Sequence, residues 1–318
     1  MPPQHPLMDP LRIDRSAQRR DTIDPGACHA IVVRDGALLV RDGHLVEREP
    51  GDHPDAALTV YLGRDGERDL VALVPADASE ANPAMSASRE HADAIAPKPA
   101  DASAAWVADG EAMVGLRDAI HLFAGAGEAG EREHELAATA VAITTWHANH
   151  PRCAKCGEPT RPTAGGWVRR CDNDERDHYP RTDAAVIVAI TDAEDRLLMA
   201  HASYWSPGRF SHLAGYVEPG ESFEQAVHRE VFEEASLTVR DLVYVGSQPW
   251  PFPASIMVGF TARVDDPNFS LDEDEITEAH FVTRAQLAAH VADGSMIVAP
   301  QGSIARRMMD DWYGGPVS

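Results

Sequence analysis

Cysteine is scarce in this 318-residue chain, which holds only Cys28, Cys153, Cys156 and Cys171. Three are clustered and one stands alone, which makes a poor disulfide framework and a better metal pattern. Long apolar runs are missing too. No stretch reaches the roughly 18 apolar residues of a membrane span. The N-terminus, MPPQHPLMDP, lacks a basic region followed by an apolar run, so no signal peptide is expected. A cytoplasmic protein with no membrane partner is the expectation. Basic residues are outnumbered, with 28 Lys and Arg against 51 Asp and Glu, for a net charge of −23. Such a surface repels phosphates and disfavours loose nucleic-acid binding, though it permits a deep site that reads one nucleotide end. The plain meaning of most of that charge is solubility.

At 44% hydrophobic residues there is ample material for a core, and the length suggests two domains with a small module between them. Residues 1–148 read as a β-rich N-terminal α+β domain. Three RDG triplets, at 34–36, 41–43 and 64–66, separate apolar runs, and Asp-Gly between such runs signals a hairpin. Residues 76–105 are rich in Ala, Ser, Asp and Pro and read as a flexible loop. The stretch EREHELAATAVAITTWHANH follows, with Leu136, Ala140, Ile143 and Trp146 at helical spacing. The cysteine-bearing module spans 149–182. Residues 183–318 alternate strand-like and helix-like segments, and so read as a mixed α/β domain.

Within that last domain, GYVEPGESFEQAVHREVFEEASL (215–237) crowds six glutamates around Arg229. Pro219-Gly220 marks a turn, and Ser222 with Gln225 forms a capping-box pattern, so a helix should begin near Phe223. Phe223, Val227 and Val231 then form an apolar stripe, and Glu230, Glu233 and Glu234 project together away from it. Like charges at this spacing cost a few tenths of a kcal/mol per pair. Converging carboxylates suit a hard cation such as Mg²⁺ or Mn²⁺. A solvated acidic face with Arg229 as an ion-pair partner explains the spacing equally well.

The whole segment resembles the Nudix box, through Gly215, Glu221, Arg229, Glu230, Val231, Glu233, Glu234 and Leu237; Ser236 stands where the family has Gly. The resemblance implies a C-terminal Nudix α/β/α sandwich with a mixed sheet. It also implies hydrolysis of a nucleoside diphosphate linked to another moiety. Glu230 and Glu234 become leading metal ligands, Glu233 a ligand or water-orienting group, Glu221 a support for the loop, and Arg229 an orienter of the glutamates. Downstream, SQPWPFPAS (247–255) reads as a stiff loop carrying exposed aromatic faces, or as a proline-rich turn with core aromatics. It resembles the signature of the NADH pyrophosphatase branch of Nudix enzymes, which also remove NAD caps from RNA. That resemblance implies NAD(H) and NAD-capped RNA 5′ ends as substrates, and a substrate loop of Gln248, Pro249, Trp250, Pro251, Phe252, Pro253, Ala254 and Ser255. It further implies a homodimer in which Trp250 closes the partner's site, and contacts from Tyr179, Ala214, Tyr216 and Ala305. Glu275 becomes a late acidic metal ligand. An ADP-ribose hydrolase, or a regulatory protein built on an inactive Nudix domain, are the competing readings. The intact loop argues against the former, and the intact glutamates and negative charge against the latter.

Cys153 and Cys156 form one half of a zinc ribbon, and Cys171 begins the other half at the expected distance. Asp174 stands where a fourth Cys is expected. Asp174 could complete a Zn²⁺ site, or His178 could, or the module could persist by packing without metal; in each case its role is structural.

Overall fold

The computed structural model describes residues 10–76 and 106–317, so that nearly all of the loop expected at 76–105 lies outside the described residues. The first sheet comprises β1 (His29–Arg34), β2 (Ala37–Arg41), β3 (His44–Leu45), β4 (Ala56–Asp65), β5 (Arg68–Pro75) and β6 (Glu111–Gly115). Its order is β3-β2-β1-β5-β4, with β6 added on β2 and β1 parallel to β5. The first two RDG triplets turn as their sequence requires. Asp35 and Gly36 take φ of 50° and 75°, and Asp42 and Gly43 take 51° and 81°, the left-handed pairs of tight hairpins. Two helices, α1 (Leu116–Phe123) and α2 (Gly127–Asn149), complete this unit. Leu136, Ala140, Ile143 and Trp146 of α2 are all buried, as their spacing requires.

A three-stranded ribbon follows: β7 (Thr160–Thr163), β8 (Val168–Cys171) and β9 (Asp177–His178). It is tied to α2 through buried polar groups. His147 Nε2 donates to Gly166 O at 2.7 Å, while its Nδ1 accepts from Arg169 Nη1 at 2.8 Å. Arg169 also donates to Thr160 Oγ1 (2.7 Å) and Thr160 O (2.6 Å). This arrangement requires a neutral imidazole, and burial holds the His147 pKa down to about 4.

The last unit contains β10 (Asp183–Thr191), β11 (Leu197–Ala202), β12 (Leu213–Tyr216), β13 (Val239–Trp250), β14 (Ser255–Val264) and β15 (Ile276–Val282), with helices α3 (Phe223–Ala235), α4 (Arg284–Asp293) and α5 (Ile304–Tyr313). The strand order is β13-β14-β10-β11-β15, with β12 paired to β10; the β10–β14 pair is parallel and the others antiparallel. The sheet is therefore mixed. Residues alternate faces along a strand, and β10 uses both. Val186, Val188 and Ile190 pack with Val227 and Val231 of α3, whereas Ile187 and Ala189 pack with Leu287 of α4 and Met308 of α5. The domain is an α/β/α sandwich with α3 on one face and α4 and α5 on the other. No helix among the described residues is long and apolar enough to cross a membrane.

One detail departs from the sequence reading. Phe223 is 43% exposed, and the buried stripe of α3 runs through Ala226, Val227, Val231 and Ala235. The small alanines at 226 and 235 let the helix backbone lie close to the sheet on either side of the two valines.

Candidate active site and metal centre

Helix α3 starts where its cap dictates. Ser222 Oγ accepts from Gln225 N at 3.2 Å, and Gln225 Oε1 accepts from Ser222 N at 2.8 Å, a complete capping box. It ends on Ser236, whose φ of 54° is left-handed. This is the position where Gly would carry no Cβ penalty.

Along that helix the three glutamates differ in depth. Glu234 is 6% exposed, Glu230 is half-buried and Glu233 is exposed. Helical spacing places them together, away from the apolar stripe, but does not set their depth; Glu234 is buried beside Ala235. Gly215 of β12 explains how Glu230 fits. A Cβ at Gly215 would lie 1.9 Å from Glu230 Cδ, so a missing side chain on β12 is what gives this carboxylate its seat. Arg229 binds the rest together. It donates to both Glu221 oxygens at 2.6 and 2.8 Å, to Glu233 Oε2 at 2.9 Å and to the Tyr216 carbonyl at 2.9 Å, and it lies 2.9 Å from Glu230 Oε1. The Arg229 guanidinium and the Glu218 N–H pull the Glu221 carboxyl down to about pKa 2. Burial raises Glu230 above the ordinary carboxylate range, and the charges of Glu233 and Glu275 push the same way. Glu275, just before β15, is thereby placed in the same electrostatic neighbourhood. Glu218 and Glu224 are exposed and outside this cage.

Tyr216 links the cage to the β13–β14 hairpin. Its carbonyl is held by Arg229, and its hydroxyl lies 3.2 Å from Ser255 Oγ. The ring is 51% exposed. Ala214 is exposed on the same strand. Gln248 is buried and fully engaged, donating to Gly302 O and accepting from Ile304 N, both at 2.7 Å. It therefore fastens the hairpin to the start of α5. Ala305 of α5 offers its carbonyl to His212 Nε2 at 3.1 Å, and burial holds His212 down to about pKa 4.

Trp250 and Phe252 do not present exposed faces. Their centroids are 5.0 Å apart, they pack against the N-terminal core, and the Arg117 guanidinium lies 4.6 Å from the Phe252 ring. Within one chain these rings join domains. Nothing in the sequence marked Arg117 for that contact. A cleft opens beside the hairpin, lined by Tyr179, Gln248, Pro249, Pro251, Ala254 and Ser255 together with residues of the N-terminal domain, and none of the α3 glutamates reaches it. Pro253, at the tip, is not among its lining residues.

The cysteines form the tighter cluster. The ligand atoms of Cys153, Cys156, Cys171 and Asp174 all lie within 4.8 Å of one another. Two equivalent turns bring them there. Cys153 N–H donates to Glu158 O at 2.8 Å, and Cys171 N–H donates to Arg176 O at 2.9 Å. In each turn the second ligand, Cys156 or Asp174, comes three residues after the first, and the next residue is left-handed, with Gly157 at φ 78° and Glu175 at 56°. Asp174 thus occupies the position equivalent to Cys156. His178 lies on β9, outside the cluster.

Comparisons with known proteins follow the same division. Residues 180–299 match the NUDIX domain, and residues 148–179 match the NADH pyrophosphatase zinc ribbon domain. The chain is 43% identical over 187 residues to the NAD-capped RNA hydrolase NudC of Mycobacterium bovis (strain BCG / Pasteur 1173P2), covering 56% of this chain and 60% of that protein. It is 37% identical over 177 residues to the NAD-capped RNA hydrolase NudC of Salmonella paratyphi C, covering 56% of this chain and 65% of the relative. The chain thus spans somewhat less than two thirds of the length of these curated relatives. A crystal structure of a Nudix hydrolase from Nitrosomonas europaea is similar over 52% of this chain and 94% of that one, at 20% identity and a TM-score of 0.37. From its ribbon turns to its capped glutamate helix, the chain joins an NADH pyrophosphatase zinc ribbon domain to a Nudix domain.

Proposed function

We propose that the protein is a metal-dependent hydrolase of the pyrophosphate bond of NAD(H), yielding nicotinamide mononucleotide and AMP, and that it removes the NAD cap from RNA 5′ ends in the cytoplasm. The observation that carries this reading is the Arg229-centred carboxylate cage on a capped helix, joined through Tyr216 to the substrate hairpin. The names of the curated relatives support the choice of substrate.

Glu230, Glu233, Glu234 and Glu275 would hold Mg²⁺ or Mn²⁺. The donor set fits: it is all oxygen, and Glu230 has a seat against Gly215, where burial first, and the charges of Glu233 and Glu275 after it, raise its pKa. When bound, such ions neutralise pyrophosphate charge and lower the pKa of water. The chain's own groups do the positioning. Arg229 and Glu221 set the side-chain directions of the cage through charge-assisted hydrogen bonds. Glu233, the exposed member, orients the attacking water. The Tyr216 ring offers a face to nicotinamide, and Tyr179, Ala214, Ala305 and the hairpin from Gln248 to Ser255 shape the substrate site. Cys153, Cys156, Cys171 and Asp174 would hold Zn²⁺ in a closed, structural site. The reading includes a homodimer whose substrate loop is shared across subunits; a monomeric mass by light scattering at assay concentration would remove that part.

NADH and ADP-ribose supplied separately with Mg²⁺ test the substrate assignment. NADH is expected to be turned over faster and to release AMP with nicotinamide mononucleotide. Preference for ADP-ribose would replace the reading with a different Nudix activity.

A further inference from the structure

The substrate hairpin is held at two points, and one short helix of the N-terminal domain touches both. Consecutive side chains at 249–252 alternate in direction. Pro249 and Pro251 line the cleft, whereas Trp250 and Phe252 turn to the N-terminal core. There the Arg117 guanidinium of α1 lies 4.6 Å from the Phe252 ring centroid and 5.9 Å from that of Trp250. The second hold is Gln248, which is 1% exposed and bridges Gly302 O and Ile304 N, each at 2.7 Å. Gly302 rests in turn on the end of α1. A Cβ there would lie 3.0 Å from Ile120 Cγ2 and 3.2 Å from Ala124 Cβ, and its φ of +84° also favours glycine.

Helix α1 thus bears on the hairpin through Arg117, and on the lead-in to α5 and Ala305 through Ile120 and Ala124. The helix is itself fixed, because Leu116, Ala119, Ile120 and Phe123 are buried. Among the described residues, the core clusters of the last unit draw none from α1. Its contacts are therefore not what closes that core, and their effect falls on the hairpin. Prolines at 249, 251 and 253 restrict φ within the loop but do not set its attitude to the sheet. A loop already held in its binding shape avoids the ordering cost that a free one meets when substrate arrives.

We propose that α1, acting through Arg117, positions the substrate hairpin and thereby sets the discrimination between NAD(H) and diphosphates that lack nicotinamide. Arg117 is a positioning residue, since it touches Phe252 and Trp250 and not the reacting atoms. The inference rests on the hydrolase reading above and gives the N-terminal domain a part in it. ADP-ribose carries the same pyrophosphate as NAD(H) without the nicotinamide ring. It uses the glutamate cage while gaining little from an ordered hairpin.

The test compares wild type with Arg117→Ala and Arg117→Lys on NADH and on ADP-ribose at saturating Mg²⁺. Arg117→Ala is expected to raise KM for NADH about fivefold, with kcat on NADH and kcat/KM on ADP-ribose each unchanged within about twofold. Arg117→Lys should restore part of the loss, because an ammonium also binds a ring face. An equal fall on both substrates, or no fall on NADH, overturns the assignment. Hydrogen exchange of residues 247–256 in the substrate-free protein reads the anchoring without any turnover. Deuterium uptake there should be faster in Arg117→Ala, and unchanged uptake overturns the positioning role. Absence of NADH hydrolysis by wild type would overturn the hydrolase reading instead, and the uptake result would still decide the anchoring.

Discussion

The glutamate helix and the cysteine ribbon invert one another. The helix keeps every charged position of its motif, yet its carboxylates sit at three different depths, and two of them, Glu230 and Glu233, are gathered onto Arg229 together with Glu221 from the preceding turn. The ribbon carries Asp174 where a fourth cysteine is expected, yet its four ligand atoms are already within 4.8 Å of each other. Backbone makes the difference. Short side chains on two hydrogen-bonded turns leave the ribbon ligands little freedom, whereas long glutamate side chains take direction from an arginine partner. A preformed site suits a structural ion, and a cage held by exchangeable ion pairs suits ions that arrive with substrate.

The largest effect that would test this contrast is expected from Glu230→Gln. Hydrolysis of NADH should fall by roughly 10²–10³-fold, while the metal-free protein becomes more stable at neutral pH by roughly 0.5–2 kcal/mol. The sign follows from Glu230. Its folded pKa is raised, so its contribution to stability is present below the unfolded value and lost as pH rises through the folded one. Chemical denaturation with chelator present checks this; a less stable variant would show that the Arg229 pairing outweighs burial. Next comes Cys171→Ser, which should abolish zinc binding and destabilise the protein by about 3 kcal/mol, read from metal content and thermal melting. A metal content near zero in wild type would instead make the ribbon a packing module.

The joint between ribbon and α2 should respond to acid. His147 is buried neutral with a pKa near 4 against 6.5 when free. The unfolded chain therefore binds more protons in that window, and stability present above pH 6.5 is lost as pH falls towards 4. Melting temperatures across this range should show the decline, and His147→Gln should flatten it. The smallest effect is expected from Ser236→Gly, a gain of about 1 kcal/mol from relief of a left-handed Ser, visible as a raised melting temperature without change in turnover.

What the sequence revealed was local or periodic. Asp-Gly turns, the Ser222–Gln225 box and the helical spacing of Leu136, Ala140, Ile143 and Trp146 each depend on neighbours within a few residues, and each appears in the fold. The second metal-ligand position was half legible. The spacing Cys153 to Cys156 repeats as Cys171 to Asp174, which distinguishes Asp174 from His178 once the paired turns are seen. The environment of Trp250 was not legible, because Arg117 and the N-terminal core meet it from far along the chain. The depth of Glu234 was masked by helical spacing, which places a residue on a face without saying what covers that face.

The central claim is that the α3 carboxylates carry pyrophosphate hydrolysis, and a Mg²⁺ titration of NADH turnover in wild type beside Glu234→Gln tests it most directly. The account predicts AMP release by wild type that saturates with Mg²⁺, and a fall of roughly 10²–10³-fold in the variant at saturating metal. Comparable AMP release by the two proteins would contradict it.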